Sequence, residues 1–312
     1  MGIAEVIPGV SGGTIAFITG IYERLLLAIR AFDAQFFRLI LTGQFRDAWR
    51  KLDTTFLVLL LMGMACGVIA GVFGITHLME KYPEVLWAFF FGLIISSAWY
   101  VGRQVSVWNA KRVIVLCIGI AGAFAVTIIS PAEGSTNLLF VTLSGLLAIC
   151  ALMLPGISGS FVLLLLGMYT VIIGSIKELL SGDGMDDIVL ILCFVCGMII
   201  GLMVFSRILT WMFRHYHMST LALLSGFMIG SLSKIWPWRI PTKWIDAQGN
   251  IGTTSIPPEH ARVLTEKQVF PGEYVIGDPH TAMVAVSFVA GLLVIAGALY
   301  FEKRTGVTQH MA

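Results

Sequence analysis

Long apolar runs separated by short polar connections dominate the chain. Six runs have the roughly 17–25 residues that cross a bilayer as a helix: 54–76, 85–101, 113–130, 188–209, 220–236 and 281–301. Two more apolar segments, 1–22 and 138–176, are interrupted, the second at Pro155-Gly156. About fifteen apolar residues lie on each side of that break. At 1.5 Å per residue each arm reaches only about 23 Å, short of a hydrocarbon core of about 30 Å. The pattern therefore predicts half-helices that meet inside the membrane, a re-entrant hairpin. Between the first hairpin and the first full span, "RLLLAIRAFDAQFFRLILTGQFRDAWRKLD" sets Leu, Phe and Trp among arginines at helical spacing. That suits amphipathic helices lying in the interface.

Composition agrees with the runs. Only 12% of residues are charged and 57% are hydrophobic, with a mean hydropathy of +0.90. A soluble domain carries about twice that charged fraction, so the expected class is an all-α polytopic membrane protein. The net charge of +2 says little, because the placement of charge decides topology. No basic region precedes the N-terminal apolar stretch, so no cleavable signal is read there. Five cysteines lie in apolar stretches; Cys193 and Cys196 resemble half of a metal site with no second half. Neither a metal nor a cofactor is expected.

Loop charge orients the spans. Segment 24–53 holds Arg24, Arg30, Arg38, Arg46, Arg50 and Lys51, and is placed on the cytoplasmic side. Arg103, Lys111, Arg112, Arg214, Lys303 and Arg304 then fall on the same side, which makes the C-terminus cytoplasmic. Loops 131–137 and 177–187 carry mostly acids and face outward. The polar segment 237–280 joins them there, read as an ordered cap.

The chain repeats itself. "AEVIPGVSGGTIAFITGIYE" returns as "ALMLPGISGSFVLLLLGMYT", and "WAFFFGLIISS" as "LALLSGFMIGS", with Gly92 over Gly226. Gly63 and Gly67 match Gly197 and Gly201, and "GIAGAF" is loosely echoed by "FVAGLL". The expected organisation is a first repeat, 1–137, with hairpin 1–23, the interfacial segment 24–53 and three transmembrane helices. A second repeat, 138–312, has hairpin 138–176, three transmembrane helices and the outer segment 237–280. Three spans per copy is an odd number, so the second copy is inverted. Inverted repeats with broken helices at the midplane are the construction of secondary transporters. The first hairpin has a shorter entry arm than the second, and whether the natural chain begins upstream of Met1 stays open.

The Pro-Gly-x-Ser-Gly breaks carry the candidate chemistry. Pro8 and Pro155 end the entering half-helix. Gly9, Gly12, Gly13, Gly156 and Gly159 bring backbone N–H groups close to a ligand. Ser11, Ser158 and Ser160, with Thr14, offer hydroxyls or helix caps. The helices that follow present N-termini, a place for an anion at membrane depth. Glu5 has no acid opposite it in the second copy, where Leu152 stands, and is read as a site for a coupling cation or proton. Glu23, Arg24 and Arg207 are secondary candidates for coupling or gating; for Glu23 the plain alternative is an interfacial partner of Arg24, and for Arg207 a snorkelling side chain.

At these residues the chain resembles the bacterial polyprenyl-phosphate translocases, over nearly its whole length. The resemblance implies a flippase that returns undecaprenyl phosphate from the outer to the inner leaflet of the cytoplasmic membrane, for reuse in cell-wall synthesis. It further implies that the two Ser-Gly tips surround the phosphate, with Ser160 and Phe161 departing from Gly13 and Thr14 of the first copy. A lipid phosphate bears about −1.5 to −2 charges, too many to cross hydrocarbon unaided. Coupling to a proton or sodium gradient and assembly as a homo-oligomer stay open, and no nucleic-acid partner is expected. A carrier of a small soluble anion would use the same features. A polyprenyl pyrophosphate phosphatase would want clustered histidines and acids, whereas the histidines here are scattered.

Overall fold

The computed structural model describes residues 1–5, 11–128, 134–181, 187–245, 251–253 and 262–305. Thirteen α-helices are described. Three short ones open the chain: α1 (Gly2–Glu5), α2 (Gly12–Ile18) and α3 (Tyr22–Arg30). Next come α4 (Ala34–Leu41) and α5 (Phe45–Lys51), followed by α6 (Thr54–Lys81), α7 (Pro83–Arg103) and α8 (Ala110–Ile128). The second half holds α9 (Leu138–Met153), α10 (Gly159–Leu165), α11 (Met168–Ser181), α12 (Asp187–Ser231) and α13 (Thr281–Thr305).

Helices α6, α7, α8 and α12 are long and apolar enough to cross a membrane, and the bent pairs α2–α3 and α10–α11 bring the number of candidate spans to six. Their outer faces are strongly apolar: Val58, Leu59, Leu61 and Met62 on α6, and Ile114 and Ile118 on α8, are all exposed. A belt of that size is untenable against water and natural against lipid. The protein is a multi-pass helical membrane protein.

The runs 188–209 and 220–236 are the two helical arms of α12, which meet without an intervening loop at a kink where Tyr216 leaves helical geometry (φ −135°, ψ 39°). Neither Pro nor Gly marks the junction in the sequence. At the second Pro-Gly pair α9 ends at Met153 and α10 starts at Gly159, packed against Ala148 and Leu152 of α9. Further sharp bends, not expected from the sequence, lie at Gly20, between α2 and α3 (115°), and at Gly167, between α10 and α11 (107°). Both glycines adopt positive φ, +72° and +68°, the left-handed close of a helix that a side chain disfavours. The first bent pair runs to Arg30. The polar segment 237–280, expected as an ordered cap, holds among its described residues a three-stranded antiparallel sheet, β1 (Arg239–Ile245), β2 (Ile251–Gly252) and β3 (Arg262–Gln268), in the order β2-β1-β3. Trp236 and Trp238 tie its flanks by donating to the carbonyls of Val269 and Pro279.

The core is built on α7 and the second arm of α12, through Trp87, Phe90 and Ile94 and through Leu221, Leu224 and Met228. Glycines let backbones touch at the crossings. A Cβ on Gly92 would stand 2.3 Å from the Phe288 carbonyl oxygen of α13, and one on Gly291 2.1 Å from that of Phe89. The same exchange joins Gly226 to the Leu116 carbonyl of α8 and Gly119 to that of Leu223. Further out, Gly67 packs on Gly2 of α1, and Gly201 on Leu146 and Ile149 of α9. Gly63 has open space beside it. Such close approach gains dispersion energy where lipid supplies no hydrophobic drive.

Candidate functional site

The two motif copies meet. Ser11 caps α2: its hydroxyl accepts from the Gly13 N–H (3.1 Å) and donates to the Leu152 carbonyl of the second copy (3.2 Å). Thr14, fully buried, accepts from the Gly156 N–H at 2.9 Å. Past the Gly20 bend, the buried Tyr22 hydroxyl donates to the Met153 carbonyl at 2.7 Å. Three bonds therefore join α2 and α3 of the first copy to residues 152–156 of the second. They satisfy backbone groups that the break before α10 leaves without a helical partner.

The tips are not equivalent. At the first, the Gly12 N–H donates to Glu5 Oε1 (2.9 Å), so a carboxylate of the chain itself occupies the start of α2. Gly12 is required there, since a Cβ would lie 2.2 Å from that oxygen. At the second, Ser158 caps α10 in position but makes no capping bond; its hydroxyl lies 2.9 Å from that of Ser160. Leu152, standing where Glu5 stands, has no carboxylate to offer. Gly156 holds φ +88° and would place a Cβ 2.9 Å from the Phe227 carbonyl oxygen. Gly159 packs as closely on the Ala148 carbonyl (2.6 Å). Beside Ser158 a narrow cleft opens, walled by Gly156, Ile157, Phe161, Thr127, Ser231 and Lys234.

Of the residues singled out in the sequence, Glu5, Ser11, Gly12, Gly13 and Thr14 are thus joined to Gly156. Ser158, Gly159 and Ser160 lie across the second break. Pro8 and Gly9 lie outside the described residues, and Pro155 is fully buried. The secondary candidates lie apart from the tips. Glu23 contacts His217 Nε2 (3.3 Å) rather than Arg24, while Arg24 pairs with Asp53 (2.6 Å), which corrects the expected Glu23–Arg24 partnership. Arg207 is exposed and donates to the Met203 carbonyl of its own helix, as a snorkelling arginine does.

Several residues of the site carry little signal in the sequence. Lys234 is a single charge at the end of an apolar run. Its ammonium rests 4.7 Å from the Phe161 ring centroid and donates to Glu266 Oε2 at 3.4 Å. Arg239 donates to the same oxygen at 2.8 Å and stacks on Trp87. Glu84, buried in the first turn of α7, accepts from the Tyr274 hydroxyl, and its other oxygen lies 3.9 Å from His280 Nδ1. Burial, and then the Glu84 carboxylate, push the Tyr274 phenol above its ordinary range. An acid following Pro at the start of an apolar run is a helix-start signal that would have found Glu84. No sequence rule points to Lys234 or Arg239. Among the described residues no group of three metal-ligating side chains occurs.

Broken helices that interlock through their backbones, within a lipid-facing helical shell, are the architecture of a membrane transporter. Comparison with known proteins narrows the class. A family model described as undecaprenyl phosphate translocase-like matches residues 1–252. A polyprenyl-phosphate transporter of Vibrio cholerae is 36% identical over 303 residues, covering 97% of this chain and 93% of the relative. One of Staphylococcus aureus is 30% identical over 256 residues, covering 78% and 84%. No solved structure matches. The chain belongs to the undecaprenyl phosphate translocase-like family.

Proposed function

We propose that this protein transports polyprenyl phosphate across the membrane by exposing a head-group site at the two meeting tips first to one leaflet and then to the other. Family membership carries the substrate class; the interlocked tips carry the mechanism. The head group sits at the second tip, where Ser158 and Ser160 present hydroxyls and Leu152 stands in place of Glu5. Such donors replace the water that a phosphate loses on leaving the surface. The prenyl chain stays in lipid, along the apolar outer faces of the helices.

The two halves are inverted repeats in this reading, and the bent pairs are re-entrant. Support comes from the paired crossings: Gly92 and Gly226 match in the repeat, and each packs on the last helix of the other half. In this register Gly119, not Gly122, corresponds to Gly291. Exchanged last helices let one half rock against the other around the tips, as alternating access requires. Glu5 is the coupling group: a proton or cation that neutralises its carboxylate weakens the bond to Gly12 and frees the first tip. In this reading the Arg24–Asp53 side faces the cytoplasm, which the basic loops support, and transport runs from the outer to the inner leaflet of a bacterial cytoplasmic membrane, as the family resemblance implies.

The test is movement of labelled undecaprenyl phosphate between leaflets of liposomes that hold the purified protein. Accelerated movement is expected with a proton or sodium gradient. Movement no faster than in empty liposomes, under either gradient, rejects the reading.

A further inference from the structure

We propose that Lys234 and Arg239 form the charge site for the phosphate head group, and that Glu266 is an internal stand-in which the phosphate displaces. The inference rests on the polyprenyl-phosphate reading and adds to it the cations, which the motif itself lacks.

Three observations carry it. First, Lys234 lines the cleft beside Ser158 at the second break, so a full positive charge stands next to hydroxyls that cap nothing. Second, the charges do not balance. Both cations donate to one oxygen, Glu266 Oε2, at 3.4 and 2.8 Å, leaving the trio with a net positive charge. A single carboxylate oxygen shared in this way bonds Lys234 at the long end of the hydrogen-bond range. Arg239 Nε, moreover, is buried and has no hydrogen-bond partner, an orphan donor in a group that rarely tolerates one. Third, the cations are held by apolar rings: Lys234 by Phe161 of α10 and Arg239 by Trp87 of α7. They keep their place when the carboxylate leaves.

A phosphate monoester suits the vacated position better than Glu266 does. It has three terminal oxygens and close to two charges, enough to bridge two cations and still accept from Ser158. Glu266 belongs to β3 of the outer sheet, so its release also loosens the contact between sheet and tip. The head group thereby opens the site that it occupies.

The experiment measures binding of polyprenyl phosphate to the full-length protein in nanodiscs, for wild type, Lys234→Gln, Arg239→Gln and Glu266→Gln. Loss of either cation is expected to weaken binding about tenfold or more, as for other charge-assisted bonds. Glu266→Gln is expected to tighten it severalfold, because the competitor is gone. A trio that merely holds the sheet in place would give the opposite for Glu266→Gln, with all three variants weakened together; that result, or no change in Lys234→Gln, overturns the proposal. Inorganic phosphate at millimolar concentration is the second probe. Competition with the lipid in wild type, lost in Lys234→Gln, supports the site, and competition undiminished in the variant counts against it. Should wild type hold inorganic phosphate through Lys234 yet ignore the lipid, the charge site stands and the substrate reading falls.

Discussion

Thr14 shows how much one hydroxyl can decide. It is fully buried and is the acceptor for Gly156 N–H across the two motif copies. Thr14→Val keeps the shape and orphans that donor, a loss of about 1–3 kcal/mol. The thermal unfolding midpoint in detergent should fall in Thr14→Val and stay near wild type in Thr14→Ser; equal midpoints for all three would mean that the bond contributes nothing. Glu5 is a different case, since its bond to Gly12 is the point at which neutralisation acts. Glu5→Gln keeps an oxygen acceptor and removes the charge. In liposomes it should leave the protein folded but make leaflet exchange insensitive to an imposed proton or sodium gradient. Exchange in the variant that still follows either gradient would remove Glu5 from the coupling role.

Among elements, the bent pairs matter most. Gly20 and Gly167 close α2 and α10 at φ of +72° and +68°, and each turns the chain by more than a right angle. Alanine at either position is strained by roughly 1–2 kcal/mol. Gly167→Ala should lower the unfolding midpoint and slow transport together, because the bend directs α11 away from the tip. Helices α4 and α5 answer to pH instead. Asp33 caps α4, accepting from the Phe36 N–H (2.9 Å) and from Lys51 (2.6 Å). The bond from Lys51, then that from Phe36, hold its carboxyl below the ordinary range. The folded state thus favours the ionised form. Its stabilising effect is complete above the ordinary carboxylate range and is lost as pH falls through the lowered value. Amide-exchange protection across α4 should drop on acidification through that window in wild type, and show no such step in Asp33→Asn.

For the whole molecule, the exchange of last helices is the testable feature. Gly92 and Gly226 admit α13 and α8 at backbone contact, with 2.3 Å between a would-be Cβ and the facing carbonyl oxygen in each case. A leucine at either position must push two helices apart. Gly226→Leu and Gly92→Leu should each abolish leaflet exchange and lower the yield of monodisperse protein. Full activity in either variant would mean that the crossing is not part of the transport-competent packing.

The linear chain already held the membrane class, the apolar runs of the long helices and the doubled motif, whose two copies the fold brings into contact. Those features follow from local physics: apolar length against bilayer thickness, the missing N–H of proline, and arginines that will not cross. It did not hold the kink at Tyr216 where the two arms of α12 meet, since a break without Pro or Gly leaves no mark. Nor did it disclose that the first tip is filled by Glu5 while the second stands beside Lys234 and Arg239. Residues 5 and 12, or 158, 234, 239 and 266, become neighbours only when helices and sheet pack, because hydrogen bonds and charge balance depend on distance in space and not along the chain.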